Sequence, residues 1–168
     1  MKVLTEEDAR ELLNGESLDS FISQLSNRLE LLGGTRWTPV NSGRQIALAR
    51  LFAYLVKGDS RICLYVTDWS IGTEVLDLFY GYRRSIGEGR LLIDAPVHLF
   101  DRADEEALVS LLSMVFFFSW DASVFDLAGR MLLRTSHGGW LEVRGSGDKA
   151  IAEALFELER LQLPAWGS

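Results

Sequence analysis

From Ser17 onward the chain places Leu18, Phe21, Ile22, Leu25, Leu29 and Leu32 three and four residues apart, and Gly33-Gly34 closes the run. That spacing lines up one apolar face of an α-helix. A shorter helix precedes it, running to about Leu13, in which Thr5 offers a capping hydroxyl and Glu6, Glu7 and Asp8 suit the positive helix end. Arg36 to Val40 reads as a short strand, held to an edge because Pro39 lacks an amide donor. Arg44 to Lys57 reads as a deeply buried helix, since Leu51 to Val56 is apolar on nearly every side. Arg61 to Thr67 carries apolar, β-branched and aromatic residues on both faces, as a central strand covered on both sides requires. After the loop Asp68 to Gly72, Thr73 caps a helix that ends in Arg83-Arg84, and Leu91 to Ile93 makes a brief strand. Asp101 and Asp104 then open a helix buried along Ala107, Leu108, Leu111, Leu112 and Val115.

At Phe116 the period changes from helical to alternating. Phe117 to Phe125, Met131 to Thr135 and Trp140 to Val143 are predicted strands, joined by turns at Leu127 to Arg130 and at His137-Gly138-Gly139. Gly145-Ser146-Gly147 ends this β-meander, and Asp148 caps a last helix with Ile151, Leu155, Leu158 and Leu161 facing inward. The expected fold is therefore α+β, a single globular domain over 1–168 with a mixed or antiparallel sheet and helices packed on it. Within it, 1–34 forms a helical pair, 35–115 alternates strand and helix, 116–144 is the meander and 148–162 the C-terminal helix.

Charge narrows the partners. Among 168 residues, 24 acidic side chains face 17 basic ones for a net charge of −7, which repels phosphate backbones and speaks against nucleic acid. Much of the excess lies between Leu91 and Leu127, in Asp94, Asp101, Asp104, Glu105, Glu106, Asp121 and Asp126 against Arg102 alone. One cysteine, Cys63, leaves no internal disulfide and no zinc site built on paired thiolates, and its place in the apolar central strand makes it inert. The N-terminus turns acidic at once, without the apolar run of a signal peptide, and no apolar stretch approaches the roughly 20 residues of a membrane span. These features predict a cytoplasmic protein with no membrane contact.

The candidate chemistry is sparse. His137 stands in Ser136-His137-Gly138-Gly139 with Asp121 and Asp126 on the preceding strand. Adjacent Ser and His side chains point to opposite faces of a strand, and no Gly-x-Ser-x-Gly elbow occurs, so this set is not expected to be a nucleophilic triad. Asp94, His98 and Asp101 offer oxygen, nitrogen and oxygen donors at close spacing, but Pro96 interrupts the helix that would align them, and they read as a charged loop. Gly145-Ser146-Gly147-Asp148 lacks the lysine of a phosphate-binding loop, and Arg83, Arg84 and Arg90 are explained by a helix C-terminus. The expectation is no catalytic residue, no metal ligand and no cofactor.

Tryptophans at strand ends and turns remain. Asp68-Trp69 and Trp120-Asp121 set an aromatic ring beside an acid, and with His137 and Trp140 they make the predicted partner-binding surface. In its Trp- and Phe-rich meander, Phe116 to Val143, and in its acidic single-domain character, the chain resembles the small immunity proteins that bacteria encode beside polymorphic toxins. The resemblance implies a non-enzymatic, cytoplasmic protein-binding protein that neutralises a cognate toxin by covering it, the partner being a basic toxin domain. Two alternatives stand beside it: a small enzyme with a carboxylate/His site not visible in the sequence, and a homo-oligomeric structural or regulatory protein, for which a homodimer would suffice.

Overall fold

The computed structural model describes residues 1–32, 35–39, 41–55, 61–69, 73–146, 156–158, 160 and 161. Its organising element is β4 (Ile62–Asp68), in which the first five residues are all buried, as a strand apolar on both faces must be. On one side β4 pairs with β5 (Val97–Phe100), which in turn pairs with β1 (Lys2–Leu4). On the other it pairs with β6 (Asp121–Asp126), followed by β7 (Met131–Thr135) and β8 (Trp140–Gly145). The short strands β2 (Glu30–Leu31) and β3 (Arg36–Trp37) both pair with β8 and complete an eight-stranded sheet, order β1-β5-β4-β6-β7-β8-β2 with β3 off the path. Every pairing described is antiparallel.

Helices cover both faces. α1 (Glu6–Leu12) and α2 (Leu18–Arg28) bury Ala9, Leu18, Ile22 and Leu25 against Cys63, Leu99, Phe125 and Leu132. α3 (Ser42–Leu55), α4 (Thr73–Ser85) and α5 (Glu105–Phe117) pack Phe52, Phe79, Leu111 and Phe116 over Leu64, Val66, Val124 and Leu133 on the opposite face. The fold is thus the expected α+β domain, an antiparallel sheet ending in a meander with helices on it.

The boundaries that shift do so for identifiable reasons. Leu91 to Ile93 is a turn, and the strand falls later, at β5, because Arg83 is buried there and donates from Nη2 to the Ala95 carbonyl at 3.0 Å, tying that loop to α4. The expected strand from Phe117 begins only at Asp121, because α5 continues through Phe117 and closes on Ser119 at φ +51°. The Trp120 amide donates to the Val115 carbonyl at 3.0 Å and the Ser119 amide to Phe116 at 3.3 Å, a Schellman closure with serine where glycine is usual. Without a glycine, no residue type announced that stop. The expected edge strand shrinks to Arg36–Trp37, and the second helix yields its last residues to β2. Of the predicted C-terminal helix, residues 156–158 and 160 are helical, whereas Asp148, Ile151 and Leu155 lie outside the described residues.

Two buried groups carry predictions. Cys63 is 1% exposed and burial pushes its thiol up to about 12, so native protein is expected to resist alkylation until denaturant is added, as a timed labelling assay would show. His98 packs edge-on against Phe79 at 5.7 Å, and burial first, with the Arg83 charge second, pushes its imidazole down to about 3. An unfolded histidine titrates near 6.5. Unfolding between those values therefore takes up a proton, so the contribution of the neutral ring is whole above about pH 6.5 and is lost as pH falls toward 3. Urea denaturation is expected to show about 3 kcal/mol more loss between pH 7 and pH 4 in the native sequence than in His98→Leu. Equal losses in the two proteins would remove His98 from the acid response.

Candidate functional site

In an antiparallel sheet the end of β4, the start of β6 and the turn after β7 reach the same rim. That rim brings together Asp68, Asp121 and His137, residues far apart in the chain. One candidate ligand atom from each lies within 4.8 Å of the other two.

Two local devices make the meeting possible. Pairing runs Val66 to Ala122 and then Asp68 to Asp121, so Thr67 is the extra residue of a β-bulge, and its hydroxyl donates to the Asp121 carbonyl at 3.2 Å. In regular pairing Thr67 would stand opposite Asp121, and Asp68 would fall on the other face; the bulge turns the Asp68 carboxylate beside Asp121. The second device is the β7–β8 turn. The Ser136 amide bonds the Trp140 carbonyl at 3.0 Å, the Gly139 amide bonds Ser136 at 2.9 Å, and Gly139 sits at φ +78°, the left-handed position that closes a three-residue loop. His137 at the head of that loop donates its amide to Asp121 Oδ1 at 2.5 Å and holds Nδ1 at 3.0 Å from both carboxylate oxygens. Its Nδ1 is 4.0 Å from Asp68 Oδ2.

The arrangement suits a divalent cation. Ligand bonds of about 2.1 Å at right angles put neighbouring donor atoms about 3 Å apart. The His137–Asp121 spacing of 3.0 Å is that of two adjacent ligands. Carboxylate oxygens with one imidazole make a mixed donor set suited to Mn²⁺ or Zn²⁺, while Mg²⁺ and Ca²⁺ prefer oxygen alone. The side chains of His137, Asp68 and Asp121 are 59%, 43% and 27% exposed, so the protein closes one side of such an ion and leaves the other toward solvent. Open positions are the mark of reactive metal sites as opposed to structural ones.

Beside the cluster lies a cavity of about 90 Å³ lined by Thr67, Asp121, Ser123, Arg134, Ser136 and Trp140. The apolar cluster under α1 and α2 includes Tyr65 and Leu132, the strand neighbours of the cavity-lining Ser123 and Arg134.

The other residues singled out in the sequence go elsewhere. Trp120 is 0% exposed and packs against Phe79 at 5.0 Å, so it is a core residue and is withdrawn from the binding surface. Trp69 is half-buried against the main core, and Trp140 is half-buried on the cavity wall. Asp94 and Asp101 are exposed while His98 is fully buried, so those three make no shared site. Asp126 serves the β6–β7 turn: buried to 1%, its Oδ1 accepts the amides of Arg130 at 2.7 Å and Met131 at 2.9 Å.

The expectation of a purely protein-binding, non-enzymatic inhibitor is corrected by this cluster. Asp68, Asp121 and His137 were legible as a surface, but as contacts and not as ligands, because the bulge that joins the two carboxylates has no residue signature. Their geometry favours the alternative of a small enzyme with a carboxylate/His site. Among the described residues no helix is long and apolar enough to cross a membrane. No family model matches the chain, and neither a curated protein nor a solved structure matches it.

Proposed function

We propose that this chain is a small divalent-cation-dependent enzyme of hydrolytic class, working in the cytoplasm. The observation that carries the reading is the convergence of Asp68, Asp121 and His137, with one donor atom each within 4.8 Å of the others. A single buried cysteine is at home in a reducing compartment, which supports the location.

The roles follow from position. Asp68 and Asp121 supply negative charge that would favour a cation over bulk water, and His137, fixed by its own amide bond to Asp121, supplies a nitrogen donor with little reorganisation. A divalent ion held there would polarise a substrate oxygen and lower the pKa of a coordinated water toward 7. Asp121 also lines the adjoining cavity, whose walls include hydroxyls and a guanidinium, a lining that suits a polar substrate better than an apolar one.

Calorimetric titration with Mn²⁺ and with Zn²⁺, paired with chromogenic phosphate and carboxylate esters assayed with the ion and with EDTA, tests the reading. One ion bound per chain and hydrolysis that EDTA stops are the expected results. Failure to bind either ion at millimolar concentration, or hydrolysis indifferent to EDTA, would overturn it.

A further inference from the structure

The cavity beside the cluster holds two polar side chains without a partner. Ser123 is 7% exposed and Arg134 half-buried; both line the cavity, and among the described residues neither side chain forms a hydrogen bond or an ion pair. Neither polar group is sealed from solvent, so both stand ready to bond a ligand that enters this small space. Register explains why they share it. Ser123 and Arg134 are directly paired across β6 and β7, so their side chains rise from the same face at the same height.

We propose that this cavity binds the phosphoryl group of a small phosphomonoester, with Arg134 and Ser123 as its anchors; the proposal rests on the metal reading of Asp68, Asp121 and His137 and names the substrate class of that site. Size argues for it. A space of about 90 Å³ that opens toward solvent has room for a phosphoryl group. Donor geometry argues for it too: a forked guanidinium with the hydroxyls of Ser123 and Ser136 around it suits a tetrahedral anion with several acceptor oxygens better than a planar carboxylate with two. The chain as a whole carries −7 and Asp121 stands on the same wall, so Arg134 is the cationic side chain of the lining on which an anion would depend. Asp121 lines the cavity and belongs to the cation cluster, so one wall is common to both.

The reaction this placement serves is phosphomonoester hydrolysis. The oxygen of a water bonds to phosphorus, the bond from phosphorus to the ester oxygen breaks with its electron pair, and a proton from the water ends on that oxygen, giving an alcohol and inorganic phosphate. Arg134 would hold the nonbridging oxygens as charge shifts among them.

Inorganic phosphate is the probe. Its ³¹P line broadening by Mn²⁺ and its calorimetric affinity, the latter with Mn²⁺ and again in EDTA, would be measured for the native protein, Arg134→Gln and Ser123→Ala, with circular dichroism to confirm folding. Arg134→Gln is expected to weaken phosphate at least about tenfold while Mn²⁺ affinity stays within about twofold, and acetate is expected to compete poorly. Phosphate affinity equal in Arg134→Gln and the native protein, or acetate bound as tightly as phosphate, would overturn the proposal. If Mn²⁺ does not bind but phosphate binds in EDTA and depends on Arg134, the anion cavity stands and the metal reading falls. If neither ligand binds, both fall.

Discussion

Asp121→Asn is expected to weaken Mn²⁺ binding at least about 100-fold, on the order of 3 kcal/mol, and to abolish any ion-dependent hydrolysis, while leaving the fold intact. Asp121 is the central member of the rim: its Oδ1 accepts the His137 amide at 2.5 Å, both its oxygens stand 3.0 Å from the His137 ring, and Asp68 faces it across the bulge. An asparagine keeps one carbonyl oxygen for the His137 amide, so the turn has its anchor, but it loses the charge that makes a good ligand. The substitution therefore separates holding the loop from holding the ion. Calorimetry reads the hold on the ion and urea denaturation the hold on the loop. Unchanged Mn²⁺ affinity would show that the three residues are a hydrogen-bonded rim and nothing more; a large loss of stability without a specific loss of affinity would assign Asp121 a structural role.

Trp120→Ala, one residue away, is expected to behave in the opposite manner, costing about 3–5 kcal/mol of stability. The ring is fully buried, with Phe79 at 5.0 Å and Phe118 at 5.6 Å, where the end of α5 meets the sheet. Its backbone adds to that role, since the amide closes the helix onto Val115 at 3.0 Å and the carbonyl accepts from Thr135 Oγ1 at 2.8 Å. Truncation leaves a cavity among rigid neighbours, whose collapse the surrounding close packing resists. Urea unfolding at neutral pH checks the figure, and Trp120→Phe, which keeps an aromatic ring, should lose much less. A cost under about 1 kcal/mol for the alanine variant would mean that the ring carries little packing. The contrast between two consecutive residues shows how alternation sorts core from site: Trp120 ends a helix and turns inward, and Asp121 opens a strand and turns to the rim.

Periodicity alone determined the arrangement of most elements. The two apolar faces of Arg61 to Thr67 required a covered central strand, and three- and four-residue spacing placed α2 and the body of α5. Composition set the charge and the lone thiol. These properties follow from local residue order, because a side chain's face in a helix or strand is set by its own position in the repeat. What the tertiary structure decided was everything that depends on register between strands. Asp68, Asp121 and His137 become a cluster only because β4, β6 and β7 end at one rim and because a single extra residue, Thr67, turns Asp68 to the same side. Ser123 and Arg134 share a cavity only through cross-strand pairing. A bulge has no residue signature of its own, and a one-residue change of pairing moves a side chain to the opposite face, so no reading of the chain in one dimension assembles that site.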